Sequence, residues 1–165
     1  MNNGVCSFTG HRIIKKEHES GLSGLLMRAI EYAYTAGCRR FLSGGAIGFD
    51  TWAARAVISY REAHPDVKLI LVLPCKNQSE RWSLEDRREH ERLISLADEV
   101  TYVSDVYTDT CMRKRNMMLA EEADMLIAYV SRLNSGTAQT VRMAKGKEIY
   151  NLYYALEKRE NKKNA

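Results

Sequence analysis

A glycine-rich segment, SGGAIGFD at positions 43–50, has the residue types that hold an anionic group. Gly44, Gly45 and Gly48 lie between an apolar stretch that predicts a strand and an alanine-rich stretch that predicts a helix. Glycines let backbone amides approach an anion closely, and a helix N-terminus adds unpaired N–H groups and a positive dipole end. The segment therefore predicts a phosphate or nucleotide site, with a simple tight turn as the alternative.

The segment matches neither of the two familiar phosphate-binding patterns. A dinucleotide fingerprint follows the first strand and needs an acid at the end of the next strand. Here the glycines follow the second predicted strand, and the third strand ends at Cys75 without an acid. A Walker A loop places Lys and then Ser or Thr after its last glycine, whereas Phe49 and Asp50 follow Gly48. The pattern predicts anion binding without naming the ligand.

Strand-like and helix-like stretches alternate along the chain, which predicts βαβ units. We expect a doubly wound, mainly parallel Rossmann-like α/β sheet with helices on both faces. One domain should span residues 1–152, and residues 153–165 should form a C-terminal helix with a solvated, frayed basic tail. The predicted strands are 4–8, 38–42, 67–74, 99–103, 124–130 and 148–152, and the intervening helices include 49–63, about 80–97 and 110–123.

Ligands of open parallel sheets bind beyond the carboxyl ends of the strands. Small residues, hydroxyls, amides and arginines gather at these ends, and this clustering predicts the site. Besides the glycine segment, with Ser43 and Asp50, the candidate residues are Thr9, Gly10, His11 and Arg12 after the first strand, Arg115 and Asn116 in the fourth helix, and Ser135, Gly136 and Thr137 before the fifth.

Each candidate also has a structural alternative. Asp50 either accepts from a sugar hydroxyl or stabilises a helix dipole. Arg115 and Asn116 could lie on a solvated helix face, and Ser135 could be a plain N-cap. Trp82 and Tyr107 could stack on a base or serve packing.

The sequence assigns no catalytic residue. His18, His64 and His90 lie in helical contexts and look like surface residues, and nothing near Cys75 lowers the pKa of its thiol. The four cysteines are far apart and form no C-x-x-C pair, so neither a zinc site nor a disulfide framework is expected. No metal or cofactor is identified.

Composition favours a small anionic ligand. The chain has 165 residues, a formal charge of +4 and no apolar run long enough to span a bilayer. We expect a cytoplasmic protein with reduced thiols, without a membrane partner and unlikely to bind nucleic acid, and a homo-oligomer is left open.

With TGHR, SGGAIGFD, PCKNQSERW and RKRNMM read together, the chain resembles the YpsA-like family of small bacterial proteins in the SLOG superfamily. That superfamily also contains the Lonely Guy hydrolases and the DNA-processing protein DprA. The resemblance implies a Rossmann-like fold and a site for a nucleotide or nucleotide-derived ligand. The residues it implies for this site are Gly10, His11, Arg12, Ser43, Gly44, Gly45, Gly48, Asp50, Arg115 and Asn116.

One departure from the superfamily bears on reaction chemistry. Lonely Guy enzymes carry a P-G-G-x-G-T-x-x-E motif with a catalytic glutamate, and the corresponding stretch here is SRLNSGTAQT. Gly136 and Thr137 match, but Thr140 stands where the glutamate would be. The leading hypothesis is therefore binding or sensing of a nucleotide-like phosphate compound. The alternatives are an enzyme that cleaves or transfers an N-glycosidic or phosphoryl bond, and a protein that binds single-stranded nucleic acid.

The hypothesis makes a geometric prediction. We expect the backbone amides of residues 44 to 48 to converge on one anion, with Arg12 reaching it from the neighbouring strand. We further expect a side chain at Gly45 to block the anion while leaving the fold largely intact.

Overall fold

The computed structural model describes residues 3–131 and 135–164, and within these ranges six strands alternate with six α-helices. The strands are β1 Gly4–Gly10, β2 Cys38–Ser43, β3 Lys68–Cys75, β4 Glu99–Ser104, β5 Met125–Tyr129 and β6 Glu148–Asn151. The helices are α1 Glu19–Thr35, α2 Phe49–Ala63, α3 Leu84–Leu96, α4 Cys111–Glu122, α5 Gly136–Met143 and α6 Leu152–Lys163.

The strands form one sheet in the order β4-β3-β2-β1-β5-β6, and every neighbouring pair is parallel. The predicted doubly wound α/β class is confirmed, and β3 lies inside the sheet between β2 and β4. From β1 the chain builds outward on one side through β2 to β4, and then returns to place β5 on the other side of β1. The topological switch point therefore lies between β1 and β5, where ligands of such sheets bind.

Both faces of the sheet are covered, so the central strands are apolar almost throughout. Leu69, Leu71 and Leu73 of β3 pack into the large core formed with α1, α2, α3 and α6. Ile70 and Val72 face the opposite way and pack with Leu119 of α4 in a smaller core. Alternate residues of one strand thus serve two cores, as the period of two in a strand requires.

Helix ends follow local chemistry that the sequence displays. The α2 helix begins at Phe49, after Gly48 with φ of 88°. The Ser83 hydroxyl accepts a hydrogen bond of 3.1 Å from the Asp86 amide and caps α3. The predicted start of α3 near residue 80 was too early, because residues 77–82 fold into successive turns.

The predicted surface position of His18 is wrong. His18 is fully buried, with Nδ1 2.7 Å from the Tyr129 hydroxyl oxygen and Nε2 2.8 Å from a Glu157 carboxylate oxygen. Glu157 lies in α6, which continues to Lys163 where a frayed tail was expected, although residues 161–164 are exposed. The contact between the tail and residue 18 crosses 139 residues of sequence, so local patterns do not reveal it.

His90 and His64 also differ from the surface positions expected for them. His90 is buried, and its ring meets Trp82 edge-on with 4.9 Å between centroids. His64 is half-buried and stacks on Tyr60 at 4.0 Å. Aromatic packing places both rings: Tyr60 lies four residues before His64 at the end of α2, whereas Trp82 reaches His90 from the turns before α3.

Two further features of the fold concern the apolar character of its helices and the state of its cysteines. Within residues 3–131 and 135–164, no helix combines the length and apolar character that a membrane crossing requires. The cysteines at positions 6, 38, 75 and 111 are buried and unpaired.

Candidate functional site

A cavity of about 280 Å³ opens beyond the carboxyl ends of β1 and β5, at the topological switch point. It brings together most of the residues predicted from sequence. The predicted residues among its described lining are Thr9, Gly10, His11, Arg12, Asp50, Arg115, Asn116, Ser135, Gly136 and Thr137.

Sequence reasoning missed three apolar lining residues, namely Ala46 of the 43–50 segment and Met112 and Leu119 of α4. The signal for the two α4 residues was present in the helix period. Positions 112, 115, 116 and 119 are spaced by three, one and three residues, so they share one face of a helix. Once Arg115 was a candidate, this spacing would have identified both neighbours.

The glycines of the 43–50 segment do not line this cavity, and packing within the protein explains them. A Cβ at Gly45, which has φ of 68°, would lie 2.3 Å from the Leu73 side chain. A Cβ at Gly48, with φ of 88°, would lie 2.2 Å from the backbone oxygen of Arg12. The expectation that Gly45 tolerates a side chain without disturbing the fold is therefore wrong.

Two backbone amides of the same segment already have partners inside it. The Gly45 amide donates to the Ser43 hydroxyl at 3.3 Å, and the Ala46 amide donates to the Asp50 carboxylate at 3.2 Å. The Ser43 hydroxyl in turn donates to the carbonyl oxygen of Asp50 at 2.9 Å. The segment thus closes on itself, which differs from the predicted convergence of its amides on one anion.

Arg115 and Asp50 form a buried pair of opposite charges beneath the cavity. Both are almost fully buried, and Arg115 donates from Nη1 to the carbonyl oxygen of Gly44 and from Nε to the Asn116 side chain at 2.8 Å. Burial raises the pKa of Asp50 to about 6, although the Arg115 charge and the Ala46 amide oppose this rise. Burial also lowers the pKa of Arg115, and the Asp50 charge opposes that change. The alternative of a solvated helix face for Arg115 is excluded.

His11 connects the two strands that flank the switch point. The Ser131 amide donates to His11 Nε2 at 2.8 Å, so this nitrogen is the acceptor and the proton of a neutral ring lies on Nδ1. Burial lowers the pKa of His11, in agreement with a neutral ring. The His11 backbone donates to Tyr129 and accepts from Phe49. His11 thus fixes the cavity wall and does not supply a positive charge.

The N-terminus of α5 forms part of the cavity wall. Ser135 caps it by accepting from the Ala138 amide at 3.0 Å, and Thr137 donates to the carbonyl oxygen of Gly10 at 3.2 Å. Thr140 is fully buried and donates to the carbonyl oxygen of Gly136, within its own helix. Residues 132–134 of the SRLNSGT loop lie outside the described residues.

Arg12 differs from the other charged residues of the site because it is exposed. It lines the cavity at the switch point and two adjoining cavities of about 370 and 510 Å³. As an exposed residue in the lining of all three, Arg12 is open to contact with a ligand.

The fold and the site together define a Rossmann-like α/β protein, in which a single parallel sheet presents polar residues at its carboxyl edge. The chain belongs to the YpsA family, described as the YspA SLOG family, whose family model matches residues 13–157. The resemblance inferred from TGHR and SGGAIGFD is confirmed.

Relatives in Bacillus support this membership. The chain is 27% identical to the SPbeta prophage-derived protein YoqJ of Bacillus subtilis over 130 residues, which cover 69% of this chain and 76% of YoqJ. It is 26% identical to a UPF0398 protein of Bacillus cereus over 167 residues, which cover 92% of this chain and 90% of the relative.

Solved structures show the same fold. DprA of Streptococcus pneumoniae superposes with a TM-score of 0.62 at 16% identity, covering 88% of this chain and 49% of DprA. DprA of Helicobacter pylori, described for its mode of single-stranded DNA binding, superposes with a TM-score of 0.61 at 18% identity. The superposition covers 86% of this chain and 60% of the Helicobacter pylori protein. This chain thus spans about half the length of the Streptococcus pneumoniae protein.

Proposed function

We propose that this protein binds a nucleotide or nucleotide-derived phosphate compound in the cavity between the ends of β1 and β5. One observation carries the proposal: Arg12, Arg115 and the N-terminal residues of α5 line the same cavity at the topological switch point. Arginine suits bidentate contact with phosphate, and a helix N-terminus favours negative charge. The glycine segment supports this wall indirectly, because Gly44 and Asp50 hold Arg115 in place.

Binding or sensing fits the lining better than catalysis. Among the described lining residues, Asp50 is the sole carboxylate, and it accepts the Ala46 amide. Thr140, at the position of the Lonely Guy glutamate, is buried within α5 and lies outside the described lining. An enzyme that uses Asp50 as its acid or base is the alternative, since burial raises the pKa of this carboxyl to about 6.

Calorimetry of two arginine variants tests the site. Arg12→Ala should weaken binding of ribose 5-phosphate about tenfold or more, because a charge-assisted hydrogen bond contributes about 1.5 to 3 kcal/mol. Arg28→Ala is the matched control, since it removes the same charge from an exposed position on α1. It should leave the affinity unchanged.

If both arginine variants lose affinity for ribose 5-phosphate equally, the loss comes from the change in net charge alone, and the proposal is contradicted. Unchanged binding in Arg12→Ala would place the phosphate elsewhere. A melting temperature for each ligand-free variant separates loss of binding from loss of fold, and Arg12 is exposed enough that little change is expected.

Single-stranded nucleic acid is the second candidate ligand. The fold likeness to the Helicobacter pylori DprA supports it, because that protein is described as binding single-stranded DNA. The larger neighbouring cavity adds Arg81, Trp82 and Tyr107, which are residue types that bind phosphates and stack on bases.

A further inference from the structure

Asp50 and Arg115 each keep a charged atom without a protein partner in the cavity between β1 and β5. A guanidinium has more N–H donors than the two that Arg115 uses, on the Gly44 carbonyl and the Asn116 side chain. Neither bond goes to Asp50, whose Oδ2 accepts the Ala46 amide. Among the described residues, Nη2 of Arg115 and Oδ1 of Asp50 therefore have no hydrogen-bond partner.

These two atoms remain accessible, although their residues are almost fully buried. In the part of the chain that the structure describes, Gln78 alone has unpartnered side-chain atoms that are closed off from solvent. Oδ1 of Asp50 and Nη2 of Arg115 thus keep some accessible surface. Both residues line the cavity of about 280 Å³, so a ligand in this cavity meets both atoms.

The charges in this cavity come into conflict when an anion enters. In the free protein, the Asp50 carboxylate balances the positive charge of Arg115, which is only 4% exposed. A bound phosphate brings a second negative charge to the same buried guanidinium. Two negative groups that share one buried site disfavour each other's ionised form, so binding favours a neutral Asp50.

The other groups around Asp50 do not remove this conflict. Arg12, after β1, is the second positive charge that acts on Asp50, but it is exposed and therefore screened by solvent. Besides the arginines, His11 is the titratable group of the described lining, and its Nε2 accepts the Ser131 amide, so its neutral ring adds no charge. The remaining described lining residues of α4 and α5 are uncharged.

Asp50 is close to protonation before any ligand is present. Burial raises the pKa of its carboxyl to about 6. A negative charge nearby acts in the same direction and raises this pKa further. Once protonated, Oδ1 becomes a hydrogen-bond donor, while Oδ2 can still accept the Ala46 amide.

We propose that an anionic ligand replaces Asp50 as the counter-ion of Arg115, and that Asp50 takes up a proton from solvent on binding, so that its Oδ1 donates a hydrogen bond to the ligand. This inference rests on the proposed function, which places a phosphate in this cavity. The new O–H bond on Oδ1 takes its proton from water or buffer, and no bond of the ligand breaks. Affinity therefore increases as pH falls.

Calorimetry of ribose 5-phosphate in two buffers of different ionisation enthalpy measures the proton uptake. At about pH 7 the parent should take up about 0.4 of a proton or more per ligand beyond the uptake in Asp50→Asn, because the ligand and the other residues contribute equally in both. From about pH 8 to about pH 6, the affinity of the parent relative to Asp50→Asn should rise about fivefold or more. Asp109→Asn is the matched control, since it removes a carboxylate from an exposed loop position, and it should behave as the parent.

An infrared difference spectrum of the parent gives a result that does not depend on how well Asp50→Asn folds. Addition of ribose 5-phosphate near neutral pH should weaken a carboxylate band and produce the band of a protonated carboxyl. Asp109→Asn should show the same change, and Asp50→Asn should lack it. A parent spectrum without the new carboxyl band would overturn the proposal.

The outcomes separate failure of the proton coupling from failure of the phosphate site. If ribose 5-phosphate binds and the parent and Asp50→Asn take up protons equally, the coupling is refuted while the phosphate site stands. If Asp50→Asn binds less tightly than the parent at every pH, the ionised carboxylate itself serves the ligand, as the acceptor of a sugar hydroxyl, and the proposal is overturned. If the parent does not bind ribose 5-phosphate, the proposed function fails and the coupling fails with it.

Discussion

Arg12 and Arg115 line one cavity but differ in burial, and this difference gives them different roles. Arg115 is almost fully buried and spends two donors on the Gly44 carbonyl and the Asn116 amide. Arg12 is exposed and belongs to the lining of three cavities. A ligand can recruit Arg12 at little cost, whereas Arg115 acts mainly through its charge and through the loop that it holds.

The buried carboxyl of Asp50 makes stability depend on pH. Its pKa in the folded protein is about 6, against an ordinary value of 3.8. Between these values the folded protein keeps a proton that the unfolded chain has lost. Stability from this group is therefore fully present below about pH 4 and is lost as pH rises through 6.

Asp50→Asn isolates this titration. The variant can still accept the Ala46 amide but has no carboxyl to ionise. The stability of Asp50→Asn relative to the parent should rise by on the order of 3 kcal/mol between pH 4 and pH 8. Urea unfolding at several pH values measures the difference, in which the other titrating groups cancel. A difference that stays constant with pH would show that Asp50 is not desolvated.

At the scale of elements, the 43–50 segment is a packed connection between β2 and α2. Gly45 meets Leu73 of β3, and Gly48 meets the backbone of Arg12 after β1. The segment therefore ties three neighbouring strands together at the carboxyl edge of the sheet. Its glycines lack side chains where other parts of the protein pack closely against the backbone, so they are explained by internal packing without contact to a ligand.

Three glycine-to-alanine variants separate steric clash from backbone strain. Gly45→Ala should destabilise by roughly 2 kcal/mol or more, because it adds a clash with the buried Leu73 to an unfavourable φ. Gly146→Ala has an unfavourable φ of 91° but open space, so it should cost less. Gly24→Ala, in the open interior of α1, should stabilise by roughly 0.5 to 1 kcal/mol. Thermal unfolding ranks the three, and equal costs at positions 45 and 146 would rule out the clash.

Sequence patterns predicted elements well where periodicity or capping acts locally. The α2 helix was expected at 49–63 and spans Phe49–Ala63. Parallel topology then predicted that strand ends would gather Arg12, Asp50 and Arg115 at one cavity. Burial of His18 escaped prediction because Glu157 and Tyr129 lie 139 and 111 residues away.

At the scale of the whole molecule, one sheet carries the entire candidate site, and the reversal of strand order locates it. The strands β1 and β5 lie side by side although more than a hundred residues separate them. Four helices cover one face and two cover the other, so the carboxyl edge is the surface where loops from both faces meet.

Salt dependence distinguishes a small ligand from a polymer. A chain that neutralises Z phosphates of a single strand loses affinity with a slope of about −0.7Z in log salt. We expect a short deoxythymidine oligonucleotide to bind no more tightly than adenosine monophosphate at about 150 mM salt. Fluorescence titration at several salt concentrations measures the affinities of both ligands and their dependence on salt. Tight oligonucleotide binding with a steep slope would favour the second candidate function.

The close contact between Gly48 and the backbone of Arg12 has a thermodynamic consequence. The Phe49 amide donates to the carbonyl oxygen of His11 at 3.1 Å, so the segment that carries Arg12 is anchored on both sides before any ligand arrives. In this segment the exposed Arg12 side chain is left to be ordered, at roughly 2 kcal/mol of rotamer entropy at most. Because the backbone of this wall is ordered during folding, binding does not have to order it again. A larger part of the free energy of each ligand contact therefore appears in the binding free energy.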